Sequence, residues 1–141
     1  MIEELSLATQ RRVFVVDDEA AIATTLALIL QSKGFDATSF TNPETALATS
    51  RTFVPDLLIS DVAMPELSGV ELAIRMKELH PACKVLLFSG QAATADLLDE
   101  ARKQGHAFTL LTKPVHPSDL LSRINSVFDK QTSAPSASRN V

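Results

Sequence analysis

Short apolar runs of strand length alternate along this chain with longer stretches whose apolar residues recur every three or four positions, and the alternation repeats five times. A continuous or alternating apolar run marks a strand and a 3.6-residue period marks a helix face, so the pattern predicts five successive βα units. The first strand spans about Arg12 to Val16, and the helix after it carries Ile22, Leu26, Ile29 and Leu30 on one face before Gly34 stops it. The second strand, about Ala37 to Phe40, is short and polar, and Asn42-Pro43 then supplies an N-cap and a first-turn proline. Leu57 to Ser60 is the third strand. Its helix opens at Ser68 with Glu71 as capping-box partner and runs to about Leu79, where His80-Pro81 ends it. The fourth strand is Val85 to Phe88, followed by a helix through Leu97, Leu98 and Ala101 that Gly105 terminates. The fifth is about Phe108 to Leu111, and Pro117 starts a last helix whose Leu120, Leu121, Ile124, Val127 and Phe128 form one stripe.

Right-handed crossovers between such units build an α/β fold, a five-stranded parallel sheet with helices on both faces. The flavodoxin-like strand order 2-1-3-4-5 leaves only the polar second strand outside and makes strands one, three, four and five contiguous. Open sheets of this class bind ligands beyond the carboxyl ends of their strands. Four of the runs end there in polar residues of different chemistry: Asp17-Asp18, Asp61, Ser89 and Lys113.

A length of 141 residues suits one domain with a sizeable core, and 45% hydrophobic with 21% charged residues excludes wholesale disorder or a fibrous repeat. The expected organisation is an N-terminal extension over 1–10, one domain over 11–130 and a disordered polar tail over 131–141. A net charge of -4 with no Lys/Arg run argues against direct nucleic-acid binding. Cys83 is the single cysteine, which excludes an intrachain disulfide and a cysteine-based zinc site. No apolar stretch reaches the length of a membrane span, and Glu3 and Glu4 stand where a signal peptide needs cations, so the expectation is a cytoplasmic protein without membrane contact.

Three carboxylates, a hydroxyl and an ammonium at one sheet edge are suited to a divalent cation and a phosphoryl group, because acids alone repel and one lysine cannot neutralise them. Asp61, in the middle, is the candidate nucleophile, a carboxylate that takes a phosphoryl group when a metal neutralises and orients the incoming oxygens. Asp17 and Asp18 are the candidate metal ligands, with a backbone carbonyl near Ala63 completing the shell, and Mg2+ matches an all-oxygen set. Lys113 and Ser89 are the candidate contacts to phosphoryl oxygens. Each residue has a plain reading too: Asp17-Asp18 as a helix cap, Asp61 as a turn residue, Ser89-Gly90 as loop, Lys113 as a snorkelling side chain. Their coincidence on one edge favours chemistry. His80, His106 and His116 read as surface residues, and the seven phenylalanines as core or rim.

The motifs Val15-Val16-Asp17-Asp18-Glu19, Asp61 through Met64-Pro65 to Gly69, Ser89-Gly90 and Lys113-Pro114 resemble the receiver domain of two-component response regulators, over about Arg11 to Lys130. The resemblance implies phosphorylation at Asp61 by a histidine kinase or histidine phosphotransfer protein, with magnesium held by Asp17, Asp18 and Asp61 and the phosphoryl group read by Ser89 and Lys113. It further implies a signalling module, not an enzyme acting on other substrates, whose phosphorylation switches binding of a downstream protein and leaves a phosphorylation-dependent dimer open. A polar tail where receivers usually precede an output domain leads to the expectation of a stand-alone receiver, with a fragment of a longer protein as the alternative. Two positions depart from the family. Leu110 occupies the place, three residues before the lysine, where an aromatic usually acts as switch, and nearby Phe108 reads as core, the alternative being a substitute for that aromatic through a shift of strand register. Ala63 offers no polar side chain two residues past Asp61, which predicts slow self-dephosphorylation. The same alanine removes the general acid that an aspartyl-phosphate phosphohydrolase needs there. A flavodoxin-like cofactor binder is disfavoured by Asp-Asp-Glu where its phosphate loop belongs.

Overall fold

The computed structural model describes residues 10–90 and 94–139, so most of the expected N-terminal extension lies outside the described residues. Five βα units follow one another: β1 (Arg12–Val16), α1 (Ala20–Ser32), β2 (Asp36–Phe40), α2 (Pro43–Ser50), β3 (Leu57–Asp61), α3 (Gly69–Leu79), β4 (Lys84–Ser89), α4 (Thr94–Lys103), β5 (Thr109–Thr112) and α5 (Pro117–Arg139). The strands form one parallel sheet in the order β2-β1-β3-β4-β5, the expected topology.

Side chains alternate across a strand, and that alternation divides the core in two. Phe14, Val16, Leu58, Val85 and Leu87 face one side, where Ala46 and Leu47 of α2, Val70, Leu72, Ala73 and Met76 of α3 and Ala101 of α4 cover them. Val13, Val15, Leu57, Ile59, Leu86 and Phe88 face the other, beneath Ala23, Leu26, Ala27 and Leu30 of α1 and Leu120, Ile124 and Phe128 of α5. With both faces covered, the central strands read as unbroken apolar runs, the reason β3 and β4 are so clear in the sequence.

Local chemistry sets where the helices stop. Gly34 (φ 96°) and Gly105 (φ 93°) lie in the left-handed region. At each, the amide of the glycine and of the residue after it return to carbonyls of the last turn: Gly34 to Gln31 and Phe35 to Leu30, Gly105 to Arg102 and His106 to Ala101. These are Schellman caps. Asn42 caps α2 by accepting the Glu44 and Thr45 amides, and Ser68 caps α3 by accepting the Glu71 amide at 3.1 Å. The Glu71 carboxylate turns to Arg75 (3.3 Å), so only one half of the expected capping box forms.

The structure differs from the sequence-based expectation in three places. Strand β5 begins at Thr109, one residue later than expected, so Phe108 precedes it, half-buried against the α2–α4 side of the core with its ring stacked 5.8 Å from His106. His80 is not a free surface residue: its Nε2 lies 3.0 Å from the buried Ser50 hydroxyl, which donates to the Leu47 carbonyl, tying α2 to the end of α3. The last helix continues to Arg139, beyond Lys130 where the sequence places the tail. Once α5 is nucleated over its packed first turns each further residue adds a backbone bond without a new nucleus, although Pro135 both removes a donor and is disfavoured in a helix interior.

Candidate functional site

The carboxyl ends of four adjacent strands deliver the candidate residues to one place. Asp17 follows β1, with its amide donated to the Phe40 carbonyl (3.0 Å); Asp61 ends β3; Ser89 ends β4; and Lys113 follows β5, its amide donated to the Ser89 carbonyl (3.0 Å). The sheet ladder therefore continues into the site and fixes the backbone from which each side chain departs. Asp18, Glu19, Asp61, Ala63, Ser89, Gly90 and Lys113 line a cleft of about 320 Å³ there.

One ammonium meets two buried carboxylates. Lys113 Nζ stands 3.2 Å from Asp61 Oδ1 and 3.6 Å from Asp17 Oδ2, and 5.1 Å from the centroid of the Phe88 ring. Asp17 is fully buried and Asp61 is 5% exposed, whereas Asp18 is open to solvent. Asp17 Oδ1 accepts the Glu19 amide at 2.9 Å in a local turn, whereas the N-cap of α1 is Glu19, which makes no side-chain capping bond, so the helix-cap reading of Asp17 does not hold. Its Oδ2 accepts no hydrogen bond, with Lys113 beyond bonding distance. A buried carboxylate oxygen left unsatisfied costs free energy, and a bound cation would recover that cost.

Electrostatics in the cleft agree. Burial pushes the Asp17 and Asp61 carboxyls above the ordinary carboxylate range, and neighbouring carboxylates add to that. The Glu19 amide on Asp17, and on Asp61 the Lys113 ammonium and the Ala63 amide, oppose it. Partial burial works to lower the Lys113 pKa, but Asp17 and Asp61 together outweigh it and the group is raised. Oxygen atoms of Asp17, Asp18 and Asp61 all lie within 4.8 Å of one another. Three carboxylates against a single ammonium leave an uncompensated negative site built of hard oxygen donors. That donor set fits a divalent oxygen-seeking cation, and the orphaned Asp17 Oδ2 gives it a ready ligand.

All six residues singled out in the sequence meet here: Asp17, Asp18, Asp61 and Lys113 by side chain, Ser89 in the lining of the cleft, and Ala63 as an exposed residue at the rim. Two supports were not legible from motif chemistry. Phe88, buried under the site, carries the lysine, and its only signal is its place one residue before Ser89. Ser60 and Gly69 pack against the Asp61 backbone, and Gly69 appears in the sequence only as the last residue of a motif.

Comparison with known proteins gives the same family from three directions. The family model described as the response regulator receiver domain matches residues 13–125. The chain is similar to the response regulator receiver protein CpdR of Brucella abortus, 30% identical over 117 residues, covering 83% of this chain and 96% of that protein. It is similar to the transcriptional regulatory protein CreB of Escherichia coli, 34% identical over 126 residues, covering 88% of this chain but 54% of CreB. The chain thus spans about half the length of CreB and of the Bacillus subtilis regulator PhoP (52%). Among solved structures, a CheY-like receiver domain protein from Methanospirillum hungatei matches with a TM-score of 0.80 and 27% identity, over 89% of this chain and 98% of that one. The chain belongs to the receiver-domain family of two-component response regulators.

Proposed function

We propose that this receiver takes a phosphoryl group onto a carboxylate oxygen of Asp61 from a phosphohistidine of a histidine kinase or histidine phosphotransfer protein, and that the change alters its affinity for a downstream protein. Support comes from one observation above others: Asp61 is the most central carboxylate of the cluster, buried but opening on the cleft, with Lys113 3.2 Å from its Oδ1. In the transfer an Asp61 oxygen forms the new O–P bond as the donor's N–P bond breaks, and the departing imidazole leaves neutral, taking up a proton from solvent. Asp61 must be ionised to attack. Lys113 favours that state and would contact the transferred oxygens, and Ser89, which lines the same cleft, would donate its hydroxyl to them. Asp17, Asp18, Asp61 and the Ala63 backbone carbonyl are the ligands proposed for Mg2+, which when bound supplies charge neutralisation for the phosphoryl oxygens. In this reading the chain is a signalling module that catalyses only its own phosphoryl uptake and loss. Among the described residues no helix is long and apolar enough to cross a membrane, and a cytoplasmic location remains part of the proposal.

The test is incubation with acetyl phosphate, with magnesium or with chelator, followed by intact mass. The wild type should gain one phosphoryl mass in magnesium alone, and Asp61→Asn should gain none. An unmodified wild type under these conditions would overturn the assignment.

A further inference from the structure

Ser60 is a fully buried hydroxyl that follows three apolar residues of β3, on the face where Leu58 packs beneath α3. A hydroxyl there forgoes the burial of a larger apolar group and requires a partner. Its partner is the backbone carbonyl of the next residue, Asp61, to which Oγ donates at 2.9 Å. Gly69 is equally unexplained by local structure. It opens α3, where glycine disfavours the helix, and its φ is not in the left-handed region that only glycine adopts easily. Space accounts for it: a Cβ at this position would run into the Asp61 carbonyl oxygen and come within 2.9 Å of Ser60 Oγ.

We infer that Ser60 and Gly69 form a clamp on the Asp61 carbonyl and act as positioning residues for the phosphoacceptor, an inference that rests on the role of Asp61 proposed above. The bonds on either side of the clamp continue it. Val62 donates its amide to the Phe88 carbonyl (3.0 Å), and Gly69 donates its own to the Val62 carbonyl (2.8 Å). The Gly69 amide at the α3 N-terminus thus holds the peptide joining residues 62 and 63, while the Val62 amide on β4 and the Ser60 hydroxyl hold the peptide joining residues 61 and 62. That peptide sets both the direction in which the Asp61 carboxylate leaves the backbone and the path to the Ala63 carbonyl two residues on. Positional errors near 1 Å at a reacting group cost large factors in rate, so a small hydroxyl and a missing methyl can matter here without touching substrate.

Gly69→Ala is the direct variant, but its methyl collides with backbone and puts folding at risk, so Ser60→Ala and the conservative Ser60→Cys, which keeps a weak donor, carry the test. Two readouts are taken on the full chain. The first, free of any ligand, is native-state hydrogen exchange at the Gly69 amide, which should quicken about fivefold in Ser60→Ala while core amides of β1 and β3 keep their rates. The second is the rate of phosphoryl uptake against acetyl phosphate concentration in saturating magnesium. Ser60→Ala should lower the limiting rate about three- to tenfold with half-saturation unchanged, Ser60→Cys should recover part of it, and a folded Gly69→Ala should lose more. Unchanged exchange at Gly69 would overturn the clamp. A wild-type limiting rate in Ser60→Ala, or a loss that Ser60→Cys does not relieve at all, would overturn its positioning role. Failure of the wild type to take up phosphate would instead count against the proposed function, with the exchange readout still deciding the clamp.

Discussion

Asp17 and Asp61 show the conflict between this site and the stability of the fold. Both acids have folded-state pKa values above the ordinary 3.8, chiefly from burial. Such groups favour the folded state fully only below that ordinary value, and the contribution is lost as pH rises through the raised pKa. At neutral pH without metal the ionised pair therefore weakens the fold. Asp61→Asn should raise the melting temperature in chelator by a few degrees, about what 1 kcal/mol produces in a domain of this size, while abolishing phosphoryl uptake. Lys113→Ala should lower it by a similar amount, because two buried carboxylates lose their nearest cation. Scanning calorimetry in chelator checks both signs. Ala63 carries a kinetic expectation instead. Its methyl lines the cleft and cannot hold a water for attack on the acyl phosphate. The phosphorylated protein, freed of donor and without a phosphatase, should persist for minutes or longer, and Ala63→Asn should shorten that lifetime; a wild-type lifetime of seconds would contradict the reading.

Strands and helices followed the sequence wherever a single physical cue controlled them. Gly34 and Gly105 end their helices in the predicted places because the left-handed turn needs them. The space around Gly34 is open, so the cost of a side chain there is conformational alone. Gly34→Ala should reduce stability by about 1 kcal/mol, read as a lower urea midpoint with an unchanged slope. Where tertiary contacts decide, the sequence was a poorer guide. The start of β5 depends on pairing with β4, where Leu110 stands opposite Leu87, and nothing local separates Phe108 from Thr109. The Ser50–His80 bond joins residues 30 positions apart and has no local signature. Ser60 and Gly69 belong to this class too, since their purpose is visible only once α3 lies on the end of β3. The carboxylate–lysine cluster was legible for the opposite reason: strand ends in a parallel sheet converge by topology, so residue type at each end sufficed.

The molecule as a whole is a covered parallel sheet whose two apolar layers hold its helices and leave one edge for chemistry. Ion binding at that edge should be felt by the entire domain, because a cation that binds only the folded state stabilises it by mass action, about 1.4 kcal/mol at ten times its dissociation constant. Magnesium should raise the wild-type melting temperature, and Asp17→Asn or Asp61→Asn should blunt the rise; an equal rise in all three proteins would place the ion elsewhere. The central claim is that four strand ends make Asp61 the acceptor of a phosphoryl group. Its most direct test is to phosphorylate the protein with acetyl phosphate and magnesium, reduce the acyl phosphate with borohydride and map the product by peptide mass spectrometry. Homoserine at position 61 is the expected result, and an unreduced Asp61 with phosphate on Ser89 or on His80, His106 or His116 would contradict the account.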